Sequence, residues 1–248
     1  MRNSEIKNIV ILMAMQEEAN LLISSLNLVE NKTVLSEMLP FRCFQIKLAK
    51  SHLSLITSGI DHRNQVDNIG CEAATLMAYE SIGQLDPDIL ISAGTAGGFS
   101  DKGAEIGSVY ASDNYFIFHD RVVPLPGFRE SAIGRFPAAN IGKMINDLAL
   151  QSGIISTGSS LEKNVKDNHI LGEHPVVAKE MEAAAIAWVA MLHDIPMFAI
   201  KSITNLVDQE NQSETEFVKN FDYSVKCLHD KLLKVINYLQ GRSLIDLE

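Results

Sequence analysis

Cysteines are few in this sequence and stand far apart. Cys43, Cys71 and Cys227 are odd in number and form no CxxC pair, so neither a disulfide framework nor a cysteine zinc site is indicated. Buried free thiols in a reducing cytoplasm are the simplest reading. Basic residues are also in deficit: 21 Lys and Arg stand against 31 Asp and Glu, for a net charge of −10. Nucleic-acid affinity rests largely on neutralising phosphates with Lys and Arg, so no such partner is expected. A small, uncharged or cationic nucleoside remains compatible with an acidic chain. No apolar run approaches the roughly 18 residues of a membrane span. The apolar stretch that ends at Met15 lacks a small-residue cleavage site and meets Gln16-Glu17-Glu18 at once, so it reads as a strand and not as a signal peptide. His52, His62, His169, His174, His193 and His229 show no metal-ligand spacing, and no metal or organic cofactor is implied. There is no internal repeat, low-complexity tract or linker.

What is present is an alternation of short apolar runs and helical patterns over 248 residues, 46% of them hydrophobic. Strands are expected at 8–14, 41–49, 52–58, 89–92, 109–118, 153–158 and 196–203. Helices are expected from Gln16, over 66–82 and 143–151, from Glu182, and from about Glu214 to Leu239, a last helix that Gly241 stops. The segment 123–137 holds three prolines and two glycines and reads as a loop. This pattern predicts an α/β fold, a single-domain three-layer sandwich over 1–248 with a central mixed sheet flanked by helices. Ligands in such sheets bind beyond the carboxyl ends of the strands. The strand ends 13–18, 58–60, 94–98, 157–161, 180–182 and 202–208 should therefore face one site.

Several residues at those ends carry chemistry. Glu18 closes M-A-M-Q-E-E after the first strand; alone, it equally fits a solvated carboxylate in the first turn of a helix. Glu180-Met181-Glu182 precedes an Ala-rich helix. These acids suit helix capping, or one of them could accept hydrogen bonds from two vicinal hydroxyls such as those of a ribose. The stretch 92–98, S-A-G-T-A-G-G, reads as a turn whose glycines permit close backbone approach. It has neither the Walker A ending nor the G-x-G-x-x-G spacing. Asn205 and Asp208 follow the last strand. An Asn side chain donates and accepts hydrogen bonds but supplies no proton as an acid, whereas Asp208 could.

Together these segments resemble the 5′-methylthioadenosine/S-adenosylhomocysteine nucleosidase family of the purine nucleoside phosphorylase superfamily, the plant-type enzymes in particular. The resemblance spans nearly the whole chain through MAMQEEA, PDILISAGTAGGF, FHDRVVPLP, STGSSL, KEMEAAAIAWVA, IKSITNLVD and INYLQGRSLIDL. It implies a cytoplasmic homodimeric hydrolase of methionine salvage that releases adenine from 5′-methylthioadenosine, with S-adenosylhomocysteine as a second candidate substrate. It implies that Glu18 activates the attacking water, Glu182 grips the ribose hydroxyls and Met181 packs beneath the sugar. Thr95 falls near the nucleoside, Leu161 and Glu162 match positions whose backbone reads the adenine edge, and Ile60 lies near the 5′ substituent. Leu125 or Phe128 would reach a neighbouring subunit's site. His119 and Asp120 match structural positions.

Two positions depart from the family pattern. Asn205 stands where the family has its Asp proton donor, and Ser159 where relatives often carry Asp. General acid catalysis contributes about 10²–10⁴-fold. Turnover is then slow, or Asp208 or a water serves as the acid, or a 6-oxopurine is preferred. Two alternatives to the nucleosidase therefore stay open: a 6-oxopurine nucleoside hydrolase or phosphorylase, and a catalytically silent nucleoside-binding protein.

Overall fold

A computed structural model describes residues 4–162, 164–165, 167–209 and 213–248. Strand β1 (Asn8–Met13) leads into helix α1 (Gln16–Leu26). The short β2 (Val29–Glu30), β3 (Arg42–Lys47) and β4 (His52–Thr57) follow. A separate hairpin, β5 (Ile60–Asp61) and β6 (Val66–Asp67), precedes α2 (Cys71–Leu85). Then come β7 (Ile89–Gly98), β8 (Val109–Phe118), α3 (Phe128–Ile133), β9 (Gly134–Pro137), α4 (Gly142–Asp147) and β10 (Gln151–Thr157). The chain continues through α5 (Asp167–Glu173), β11 (Val176–Glu180), α6 (Ala183–Leu192), β12 (Met197–Leu206) and α7 (Ser213–Leu239).

Ten strands form one mixed sheet in the order β11-β10-β8-β12-β7-β1-β4-β3-β2, with β9 attached to β8. The central strands are buried on both faces, and period-2 alternation divides their side chains between two helical layers. Ile9 and Ile11 of β1 and Ile91 of β7 pack with Leu22 of α1 and Leu232 and Val235 of α7. Val10, Leu12 and Leu90 point the other way, onto Met77 of α2 and Ala184 and Ile186 of α6. Full burial of each such aliphatic side chain stabilises the fold by roughly 1.5–3 kcal/mol. This is the expected sandwich, with one addition. The edge strand β11 returns to pair antiparallel with β7, Ala178 opposite Gly98 and Lys179 opposite Gly97, so that five strands curl into a closed ring.

Four local expectations are corrected. The glycine-rich stretch is the continuation of β7 and not a turn. Its glycines serve close packing: a Cβ at Gly97 would lie 2.5 Å from Val207 Cγ1, and one at Gly98 would lie 2.7 Å from the Ala104 Cβ. The helix expected from Val66 starts at Cys71, because Val66 and Asp67 pair with Asp61 and Ile60, and Gly70 takes φ 97° at the N-cap. The proline-rich segment contains α3 and β9, the latter pairing with β8 through Phe116 and Phe136. The helix expected to Gln151 stops at Asp147, and Gln151 opens β10.

Candidate active site

The strand ends converge on a cavity of about 570 Å³. Of the residues singled out from the sequence, Glu18, Thr95, Leu161, Met181, Glu182 and Asn205 line it. Ile60 and Glu162 do not. Ile60 lies on β5 and is exposed, and the facing strand of its hairpin supplies Val66 and Asp67 to the cavity instead. The Glu162 carbonyl is turned to Lys179, whose Nζ donates to it at 2.9 Å and also to the carbonyls of Ser160 and Leu161. Ser159 stands beside the cavity, its N–H donating to Asp120 Oδ2 at 2.7 Å.

Glu18 sits in the first turn of α1, yet it is buried and not the solvated carboxylate its position allows. Its Oε1 accepts the Thr95 N–H at 2.8 Å and the Thr95 hydroxyl at 2.6 Å. Gly94 leaves room for the other oxygen: a Cβ there would come within 3.0 Å of Glu18 Oε2. Burial pushes the Glu18 carboxyl above its ordinary value, against the pull of Thr95 and Lys201.

The two acids of E-M-E divide their tasks. Glu180 is the helix-capping one: it accepts the N–H groups of Glu182 and Ala183 and the Thr157 hydroxyl. Capping by Glu180 leaves Glu182 open to the cavity, with the Gly70 N–H donated to its Oε1 at 2.9 Å. The small residues that follow, Ala183, Ala184, Ala185 and Ala187, are all buried and let α6 lie close on the sheet. Burial and the neighbouring Glu180 charge push Glu182 up to about 7.

Lys201, on β12, is the residue that sequence reasoning missed. Its Nζ lies 2.8 Å from Glu180 Oε2, and both side chains are almost fully buried. Burial alone would lower its pKa, but Glu180, Glu182 and Glu18 outweigh that and keep it charged. The signal was present: a lone lysine within the ten-residue, otherwise uncharged run MFAIKSITNL must find a carboxylate if the strand is buried. Lys179 and Glu180 in VVAKE carry the same signal.

Asn205 is 1% exposed and lines the same cavity. Its Oδ1 accepts the Thr204 hydroxyl at 3.0 Å, while its Nδ2 has no hydrogen-bond partner among the described residues. A buried donor without an acceptor is costly, so this one is set for an acceptor on a ligand. Asp208 is corrected as a substitute acid. It lies outside the cavity, accepting the N–H groups of Ser100 and Asp101 and the Ser100 hydroxyl. Partial burial acts to raise its pKa, but those donors outweigh it and hold the carboxyl below its ordinary value, ionised at neutral pH. His119 is buried against Ser156 and, through burial first, titrates down at about 4, in keeping with a structural place. Burial pushes the thiols of Cys43 and Cys71 up to about 11 and about 12, away from reactivity.

A family model described as the phosphorylase superfamily matches residues 8–237. The 5′-methylthioadenosine nucleosidase of Arabidopsis thaliana is 35% identical over 243 residues, covering 98% of this chain and 91% of the relative. A 5′-methylthioadenosine/S-adenosylhomocysteine nucleosidase of the same plant is 35% identical over 246 residues, covering 98% of this chain and 95% of the relative. The apo structure of the A. thaliana 5′-methylthioadenosine nucleosidase matches with a TM-score of 0.96 at 35% identity, over 98% of this chain and 100% of that one.

Proposed function

The chain belongs to the phosphorylase superfamily and, within it, to the 5′-methylthioadenosine/S-adenosylhomocysteine nucleosidases, and we propose that it hydrolyses the N-glycosidic bond of 5′-methylthioadenosine in the cavity described above. The observation that carries this reading is a pair of carboxylates, the buried Glu18 and the half-buried Glu182, opening on one cavity that Asn205 also lines, its Nδ2 without a partner among the described residues. Glu182 accepts the 2′ and 3′ hydroxyls, and Met181 packs beneath the ribose. Glu18, with Oε1 held by Thr95, uses Oε2 to take a proton from water as the water oxygen bonds to C1′. The C1′–N9 bond breaks and its electron pair leaves with the purine. The sugar passes through an oxocarbenium-like state, which the surplus of negative charge from Glu18, Glu180 and Glu182 over Lys201 stabilises. Asn205 donates Nδ2–H to N7 but cannot transfer that proton, so a water must supply it.

Water, and not phosphate, is the acceptor. The Thr95 N–H and hydroxyl are the donors an anion would seek on the glycine-rich strand, and Glu18 already occupies them. A phosphate there would face a buried carboxylate. Turnover in oxygen-labelled water should place the label on C1′ of the sugar, with a rate independent of phosphate; a sugar 1-phosphate product would overturn this.

The pH dependence follows from Glu182. It must be ionised to accept two hydroxyls, so lowering the pH through its raised value near 7 protonates it and removes the grip. The acid limb of kcat/KM is therefore expected near pH 7. A pH profile with that limb at the ordinary 4.5 contradicts the assignment.

We also propose a homodimer. Leu76 and Tyr79 of α2, Trp188 and Leu192 of α6, and Val122, Leu125 and Phe128 are large apolar side chains left exposed, an unusual density for a free surface. Sedimentation equilibrium should return twice the chain mass, and Leu125→Asp with Trp188→Glu should shift it to the monomer. A native monomer at micromolar concentration overturns the proposal.

Asn205 favours one second reading, a protein that binds the nucleoside without turning it over. Its test is the first of those in the Discussion.

A further inference from the structure

The charges around the cavity are unevenly placed. Glu17, Glu18, Asp67, Glu180 and Glu182 line it, against Lys179 and Lys201. Both lysines are committed deep in the site, Lys201 to Glu180 and Lys179 to the 160–162 carbonyls. Among the described residues Glu17 and Asp67 have no such counterion. Arg42, which donates to Gln16, is ion-paired with Glu30, and Arg63, in the β5–β6 turn, with Asp61. Among the described residues, Asp67 takes the Gln16 N–H alone, at 3.3 Å. Burial pushes its carboxyl up, a penalty that a cation placed beside it would relieve.

The sheet order fixes which end of a nucleoside meets these two acids. β12, bearing Asn205, lies on one side of β7, and β1, which runs on to Met15 and Glu17, lies on the other. With the purine toward Asn205 and the ribose on Glu182, the 5′ carbon points to the β1 side. There Met15, Val66 and Ile69 offer an apolar wall for a thioether stem, and Glu17 and Asp67 line the cavity beside them. Two buried polar atoms without partners among the described residues, Asn205 Nδ2 and Ser92 Oγ, belong to residues lining this same cavity and mark it as built for a ligand.

We infer that Glu17 and Asp67 make the 5′ end of the cavity a cation-selecting subsite, favouring 5′-thio purine nucleosides whose substituent ends in an amine and rejecting those that end in a carboxylate. This rests on the nucleoside orientation proposed above. Two carboxylates several ångströms from a terminal charge, in a half-solvated rim, change affinity on the order of tenfold for each unit of ligand charge.

The test compares adenosines carrying 5′-(3-aminopropylthio), 5′-(3-hydroxypropylthio) and 5′-(2-carboxyethylthio) groups, at low salt and about pH 8, where free carboxyls are ionised. The expected kcat/KM falls about tenfold from amine to hydroxyl and about tenfold again to carboxylate. Raising the salt to 0.5 M compresses the series, since exposed charges are screened. Glu17→Gln combined with Asp67→Asn compresses the ratios to within about threefold. Equal values in the native chain, or an order that survives either high salt or the double variant, overturn the inference. The salt series uses the native chain alone, so it decides the matter even if the variant does not fold. If no compound is cleaved, the hydrolytic reading fails on its own. Competition of the same three compounds against bound 5′-methylthioadenosine then decides: the same charge order supports the subsite, and equal Kd values overturn it.

Discussion

Asn205→Asp raises kcat on 5′-methylthioadenosine by about 10²–10⁴-fold, the usual yield of a positioned general acid. The position is 1% exposed, so burial would raise the pKa of the introduced carboxyl and keep a proton on it near neutrality. The side chain changes little in volume, and the Thr204 hydroxyl, 3.0 Å away, keeps an oxygen to donate to. Gly97 beneath it leaves the space that either side chain needs: a Cβ there would lie 3.1 Å from Asn205 Nδ2. The gain should appear in kcat far more than in KM, because the amide already serves binding. A rate that does not move would favour the protein that binds without turnover. Single-turnover adenine release, compared for the two chains, reads this directly.

Glu18→Gln lowers kcat by at least about 10³-fold. The substitution preserves shape and retains an oxygen for the two Thr95 donors. What it removes is the acceptor of the water proton and one of the charges facing C1′. Nucleoside affinity should change much less, because Glu182 with its Gly70 contact is untouched. The comparison has its widest range in the Asn205→Asp background, where the starting rate is higher. Retention of more than about a tenth of that rate would remove Glu18 from the chemistry.

The sequence exposed the ends of the site better than its middle. Glu18 and Glu182 were legible because each follows a strand and opens a helix, and because the segments around them resemble a known family. Which carboxylate of E-M-E caps and which faces the ligand was not legible, since both spacings suit an N-terminus. Only the geometry assigns the cap to Glu180. Lys201 was hidden in an apolar run whose period says strand and says nothing of a counterion from β11. The glycine-rich stretch read as a turn because glycine is ambiguous between a bend and close strand packing. The closing pair between β11 and β7 resolves it. Asp208 looked like a spare acid by proximity in sequence, yet the chain turns after β12 and spends that carboxylate on the Ser100–Asp101 backbone.

The most direct measurement is adenine release from 5′-methylthioadenosine in phosphate-free buffer, followed by chromatography through prolonged incubation with the chain in excess. Adenine and 5-methylthioribose should appear in equal amounts, slowly and at a rate unchanged by added phosphate. Nucleoside that stays intact throughout would contradict the account, and cleavage of inosine in its place would move the substrate to the 6-oxopurines.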